Sequence, residues 1–202
     1  MASYPRRMTD EKRYHHGDLR AALLDAAEAE LAERGVEGFS LRQVARRAGV
    51  SHAAPAHHFT DAKGLLTALA AEGFHRFLAA QASREARAAP DPRAQLLAAG
   101  LGYVDFALAR PALFRLMFGS DRADFSNPDL DAASDAAYGH LMAQVAAIGG
   151  NQTDAAAVWS CAHGLADLLS AGRLKPLGGL SAEARDLALS AILTRSFPAP
   201  AG

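Results

Sequence analysis

Apolar side chains recur at steps of three and four residues along almost the whole of this 202-residue chain. On a helix of 3.6 residues per turn such positions share one face, whereas a strand needs alternation or a run of β-branched residues, and no segment has either. The expected fold is therefore all-α, with about nine helices. From Asp18 to Arg34, the residues Leu19, Leu23, Ala27 and Leu31 form one stripe, and Asp25, Glu28, Glu30, Glu33 and Arg34 occupy much of the remaining circumference. Gly35 follows, where a left-handed residue ends a helix easily. A second, short helix opens at Ser40, an acceptable N-cap, and turns Leu41, Val44, Ala45 and Ala48 inward until Gly49 stops it. Ser51 is expected to cap a third.

The rest of the chain continues in the same pattern. After Asp61 a long run carries Leu65, Leu66, Leu69, Phe74, Phe77 and Leu78 on a broad apolar face, and "APDP" breaks it. Asp91 as cap and Pro92 at the first helical position open a helix to about Arg110, and Pro111 begins a shorter one. The stretch "SDRADFSNPD" reads as a loop. Further helices are expected near 129–148, 153–172 and 181–196, separated by "GGNQ" and "RLKPLGG". There is no tandem repeat and no long linker.

Composition narrows the function classes. With 50% hydrophobic and 21% charged residues the chain has the balance of a globular protein, and its length suggests two unequal domains. No window approaches the roughly 18 uncharged apolar residues of a membrane span, and the opening residues lack the apolar core of a secretory signal, so a cytoplasmic location without a membrane partner is expected. Cys161 is the sole cysteine, which excludes an intrachain disulfide or a multi-cysteine metal site, and no cofactor is expected. Charge is nearly balanced in each part. Residues 1–60 hold nine Lys and Arg against eight Asp and Glu, together with five of the eight histidines.

Two short helices joined through Gly49, with the small Ala45 where their backbones approach, have the spacing of a helix-turn-helix. Gly49 adopts the turn without a Cβ penalty, and Val50 plugs the corner. A helical hairpin that only packs has the same spacing. Beyond the spacing, the run "LLDAAEAELAERGVEGFSLRQVARRAGVSHAAPAHHFTDAKGLL" resembles the DNA-binding region of the TetR family of transcriptional regulators. The matching elements are Ala26-Ala27, Gly35, Ser40, Val44-Ala45, Ala48-Gly49-Val50-Ser51, His58-Phe59 and Leu65-Leu66. Trp159, His163 and Gly164 in "WSCAHGLADLL" are similar to the Trp-His-Gly signature of one C-terminal subgroup. The resemblance implies a three-helix DNA-reading head at 16–62, preceded by an arm at 1–15, and a ligand-binding and dimerisation body at 63–202. It also implies a homodimer, double-stranded operator DNA, a small-molecule effector and no enzymatic activity. Two positions depart from the family: Ala56 stands where many members have Tyr, and Ala62 where many have Lys, with Lys63 one step later.

With Ser51 as the cap, His52 and Ala53 fall in the first turn of the recognition helix, the end that reaches base edges in such motifs. Ser40 can donate to phosphate, and Arg42 can pair bidentately with guanine or phosphate. Arg46 and Arg47 are expected to be solvated or to steer along the backbone. The resemblance makes His58 a phosphate contact and places His57 at a DNA-contacting position, and Lys63, one step from the family's Lys, is a further DNA-binding candidate. Arg6, Arg7, Lys12 and Arg13 would form the arm along DNA. The rival reading, an all-α carrier or enzyme using the histidines, meets an obstacle in His57 and His58. Adjacent residues on a helix point about 100° apart and cannot both join His52 at one metal.

In the body, Phe106, Phe114, Met117, Phe118, Tyr138, Met142 and Trp159 cluster with the polar His140 and His163. Such a stripe is either core or the wall of a pocket between helices. Phe106, Phe114, Met117, Phe118, Tyr138, Met142, Trp159 and His163 are the candidate ligand contacts. The last two long helices, with Leu165, Leu168, Leu169, Leu187, Leu189, Ile192 and Leu193, suit a four-helix dimer interface or ordinary packing within the chain.

Overall fold

Helix α1 (His16–Arg34) buries Leu23, Ala27 and Leu31 completely and ends at Gly35, whose φ of +67° leaves the helical region. The computed structural model describes residues 16–199, so the proposed arm and its four basic residues lie outside the described part. Helix α2 (Leu41–Arg47) starts from an extended Ser40 and buries Val44 and Ala45. Gly49, at φ +68°, turns the chain into α3 (Ala54–Phe59), which buries Pro55 and Phe59.

The start of α3 differs from the sequence expectation. Its N-cap is Ala53, not Ser51, and no side chain caps it. The Ser51 carbonyl, rather than its hydroxyl, receives the Ala54 N–H at 3.0 Å, so His52 and Ala53 form the turn ahead of the helix instead of its first turn. Pro55 consequently falls at the second helical position, where a missing N–H forfeits no helical hydrogen bond.

Helix α4 (Ala62–Glu85) is the axle of the molecule. The Asp61 carboxylate caps it by accepting from Gly64 N–H at 2.8 Å. It touches α1 and α3 at one end and packs along α5, α6 and α7 over the rest. Helix α5 (Pro92–Ala109), capped by Asp91 as expected, bends by 110° into α6 (Pro111–Gly119). Helix α7 (Pro128–Ala147) is capped by Asn127, and α8 (Gln152–Ser170) by a capping box in which Asn151 and Asp154 each satisfy the other's backbone N–H. The separator "RLKPLGG" contains a single turn, α9 (Lys175–Gly178), before α10 (Ala182–Leu193) and its 3-10 extension Thr194–Ser196. Ten helices and no strand are found among the described residues. No single described helix is long and apolar enough to cross a membrane.

One hydrophobic core runs without interruption from Leu23 and Val44 in the first helices, through Leu65, Leu69, Phe74 and Phe77 of α4, to Leu165 of α8 and Leu193 of α10. Ion pairs reinforce the same junction. Glu28 of α1 pairs with Arg76 of α4 and with Arg110 before α6, while Glu37 meets Arg122 at 3.3 Å. The body's centre is aromatic: Phe77 meets Tyr103 edge-on at 4.8 Å and Phe106 at 5.5 Å, an arrangement that adds about 0.5–1.5 kcal/mol per pair beyond area burial.

Candidate functional site

Two separate places carry the residues marked out by the sequence. The first is the outer face of α2, the turn and α3. Burial of Pro55 and Phe59 orients α3 so that Ser51, His52, Ala53, Ala56 and His57 are exposed together, while His58 is half-buried beside the Phe59 ring. Arg20 of α1 lies over the same ring at 5.3 Å, a cation–π contact that fixes α3 against α1. Ser40 and Arg42 stand at the start of α2, half-buried and exposed respectively. Arg42 and Arg46 have no carboxylate within ion-pair reach among the described residues. Arg47 is committed inward: its Nε donates to Glu30 at 2.9 Å and its Nη2 to Glu33. Lys63 is drawn sideways, 3.5 Å from Asp124. Among the described residues no three His, Cys, Asp or Glu side chains converge as a metal site would require.

The second place is a partly open cavity of about 560 Å³ between α4, α5, α6, α7 and α8, with Leu193 of α10 and Phe197 also on its wall, within the range of pockets that bury a drug-sized molecule. Met117, Phe118, Tyr138, Trp159 and His163 line it. Three other candidates lie behind its wall. On α5 the lining stripe of Leu96, Ala99, Gly100 and Tyr103 stops one turn before Phe106, which backs onto Phe77. Phe114 supports His163 and Phe118 from outside, at 5.3 and 5.1 Å between rings. Met142, turned about 100° from the lining Leu141, packs into a second, smaller core with Leu96, Val145 and Val158.

Sequence reasoning missed Tyr103, Gln81 and Gln144 as lining residues, and left His140 outside the candidate set. The phenol of Tyr103 is 2.7 Å from His163 Nδ1 and accepts from Trp159 Nε1 at 3.3 Å. Burial pushes the Tyr103 pKa well above its ordinary range, so the hydroxyl keeps its proton. Burial also holds His163 below its ordinary value of 6.5, with Asp167 opposing the shift. Across the cavity His140 Nε2 sits 2.7 Å from a Glu85 oxygen that also accepts from Gln144 at 3.1 Å. Among the described residues no Lys or Arg lines the cavity.

An exposed, mildly basic helix-turn-helix face on a helical body with a drug-sized cavity is the architecture of a DNA-binding regulator. Comparison with known proteins agrees with this architecture. Residues 23–69 match the family described as bacterial regulatory proteins, tetR family, and residues 96–193 match the tetracyclin repressor-like C-terminal domain. The chain belongs to the TetR family of transcriptional regulators. It is 38% identical over 79 residues to the HTH-type transcriptional regulator BetI of Burkholderia ambifaria, a match over 39% of this chain and 41% of that protein. It thus spans about two fifths of the length of the curated relatives it matches. Over nearly its full length it is similar to a solved structure of a protein with unknown function from Rhodococcus sp. RHA1, with 37% identity, TM-score 0.76 and coverage of 93% of this chain and 99% of that one. A TetR-like transcriptional regulator from the same organism shares the fold at 18% identity and TM-score 0.65, covering 91% of this chain and 97% of the other.

Proposed function

We propose that this chain is a cytoplasmic, ligand-released repressor that binds a pseudo-palindromic operator as a homodimer. The observation that carries the reading is the pairing of an exposed α2–α3 face with a drug-sized cavity on one continuous core. Arg42 and His57 would contact base edges or phosphate, and His52, at the turn, would approach the duplex with Ser51 and Ala53. His58, Ser40 and Lys63 would hold backbone phosphates, Lys63 after leaving Asp124. Ala56 offers no phosphate contact, which shifts that work to the histidines and arginines around it.

Two heads must sit about 34–36 Å apart to enter successive major grooves. The exposed Leu168, Leu180 and Leu187, on α8, before α10 and on α10, supply an apolar face for a second copy, Leu187 being 74% exposed. Filling the cavity between α4 and α8 would shift the head spacing through α4 and α6, which reach both cavity and head.

The test is retention of DNA from the gene's own upstream region by the purified protein, titrated with salt. Specific retention that weakens steeply as salt rises supports the proposal. Absence of any salt-dependent retention sinks it.

A further inference from the structure

The hydrogen-bonding groups of the cavity have fixed polarity. Trp159 Nε1 can only donate, and it donates to the Tyr103 oxygen at 3.3 Å. In the tautomer that leaves His163 Nδ1 as an acceptor, the Tyr103 hydroxyl donates to it at 2.7 Å. That tautomer places the ring proton of His163 on Nε2. His163 lines the cavity, and its Nε2 has no hydrogen-bond partner among the described residues. One wall therefore presents an N–H donor.

Gln81 of α4, 93% buried, supplies the opposite polarity. Its Nε2 donates to the Ala99 carbonyl of α5 at 3.3 Å, which settles the orientation of the amide. Its Oε1 lacks any partner and lies just beneath the surface of a side chain that lines the cavity, so a small adjustment of the wall brings it to a bound molecule. A buried, unsatisfied acceptor is costly, and it is offset when a bound molecule donates to it. The backbones fix its place. At Gly102 of α5 an added Cβ would fall 2.6 Å from the Gln81 Cα, so only glycine lets α5 approach α4 this closely.

Charge completes the specification. Among the described residues no Lys or Arg lines the wall, so a carboxylate or phosphate would lose its hydration without a counter-ion. Glu85 is engaged by His140 and Gln144, and Asp135 is exposed at the rim, which leaves the interior without a free anion for an ammonium.

We infer that the effector is a neutral, predominantly aromatic molecule whose hydroxyl or amide both donates to Gln81 Oε1 and accepts from His163 Nε2. The inference rests on the effector-cavity reading above and deepens it. The experiment is calorimetric titration of the full-length protein with four probes of one skeleton: para-phenylphenol, biphenyl, para-phenylbenzoate and N-methyl-para-phenylpyridinium.

The phenol is expected to bind about tenfold more tightly than biphenyl, the worth of one well-placed hydrogen bond at its upper range, and the two ions more weakly than either. Gln81→Leu and His163→Phe are each expected to bring the phenol-to-biphenyl affinity ratio, measured within the same variant, close to one. If a variant does not fold, judged by its thermal transition without ligand, the other variant and the four-probe ranking of the wild type decide. Tightest binding of the benzoate or the pyridinium, equal binding of phenol and biphenyl, or no binding of any probe overturns the inference. DNA retention by the same preparation is measured alongside. Its loss would strike the regulator reading, and its presence beside a wrong probe ranking would overturn the ligand class alone.

Discussion

Arg84 of α4 holds Asp186 of α10 through Nη1–Oδ2 at 2.6 Å and Nη2–Oδ1 at 3.3 Å. The same guanidinium grips Asp105 of α5 at 2.6 and 3.0 Å. These bonds raise the Arg84 pKa further above its ordinary value, so the charge is permanent. One partly exposed side chain thus fastens the C-terminal helix to the axle. Arg84→Met is expected to cost about 1–2 kcal/mol, discounted for the partial exposure of both carboxylates. Thermal unfolding should register this as a fall in Tm of about 2–6 °C. An unchanged Tm would show the fork to be decoration.

The two arginines at either end of α2 should behave oppositely toward DNA. Arg42 is exposed, and Arg42→Ala is expected to weaken operator binding by about tenfold and to lower the salt slope by about one. Arg47 is held by Glu30, itself 1% exposed, and by Glu33. Arg47→Ala should lower Tm and leave the slope intact. Equal slopes for the two variants would contradict this division.

Between α3 and α4 the chain makes a tight three-residue turn, with Thr60 at φ +66° and ψ −60° and Asp61 N–H donating to the Phe59 carbonyl at 2.7 Å. A β-branched residue is strained there, and the strain of such a γ-turn is of the order of 1–3 kcal/mol. Thr60→Gly relieves it but enlarges the unfolded ensemble, for a net gain of about 0.5–1 kcal/mol. Chemical denaturation should find a higher midpoint with the same slope.

Histidine 163 makes stability depend on pH with a definite sign. Its folded pKa lies below 6.5, so the unfolded chain binds the proton more readily. The stabilisation is complete above about pH 6.5 and is lost as pH falls toward the folded pKa. His163→Phe removes this dependence. The difference in Tm between variant and wild type should therefore move in favour of the variant between about pH 7.5 and pH 5.5. A difference that stays constant, or moves the other way, excludes His163 as the source.

The proposed dimer makes its own demand. Leu187 is 74% exposed on α10, and Leu187→Glu is expected to weaken self-association at least about tenfold by burying an unpaired carboxylate in the interface. Sedimentation equilibrium reads this directly. A wild-type protein that sediments as a monomer would remove the premise.

Most helices were legible because cap and periodicity coincide. Asp91 before Pro92 marks a start that the backbone respects, whereas Asn127 and Pro128, read as loop, cap and open α7. Ser51 carries the same signal and misleads, because its carbonyl rather than its hydroxyl supports α3, a choice set by the packing of Pro55 and Phe59. The turn at Lys175–Gly178 is too short to carry a period. In the cavity the aromatic residues announced themselves, but their side of the wall did not. Phe106 and Tyr103 are one turn apart on α5, and only the crossing of α4 and α5 decides that Tyr103 faces inward. The partnership of Tyr103 with His163 spans 60 positions and leaves no local trace.

The unbroken core has a consequence for how such a chain can change over generations. Leu23, Leu31 and Val44 share one interior with Leu65, Phe74 and Leu113, and Glu28 is paired with Arg76 and Arg110. A recombination joint at 62/63 would bring together two halves of a packed interior that had never been fitted to each other. Such a hybrid would be expected to lose several kcal/mol to cavities and overpacking. The exposed face of α3 carries no such obligation, since Ala53, Ala56 and His57 pack against nothing essential. New operator preferences can therefore arise by single substitutions on that face, while wholesale grafting of a foreign head is penalised by the interior it must join.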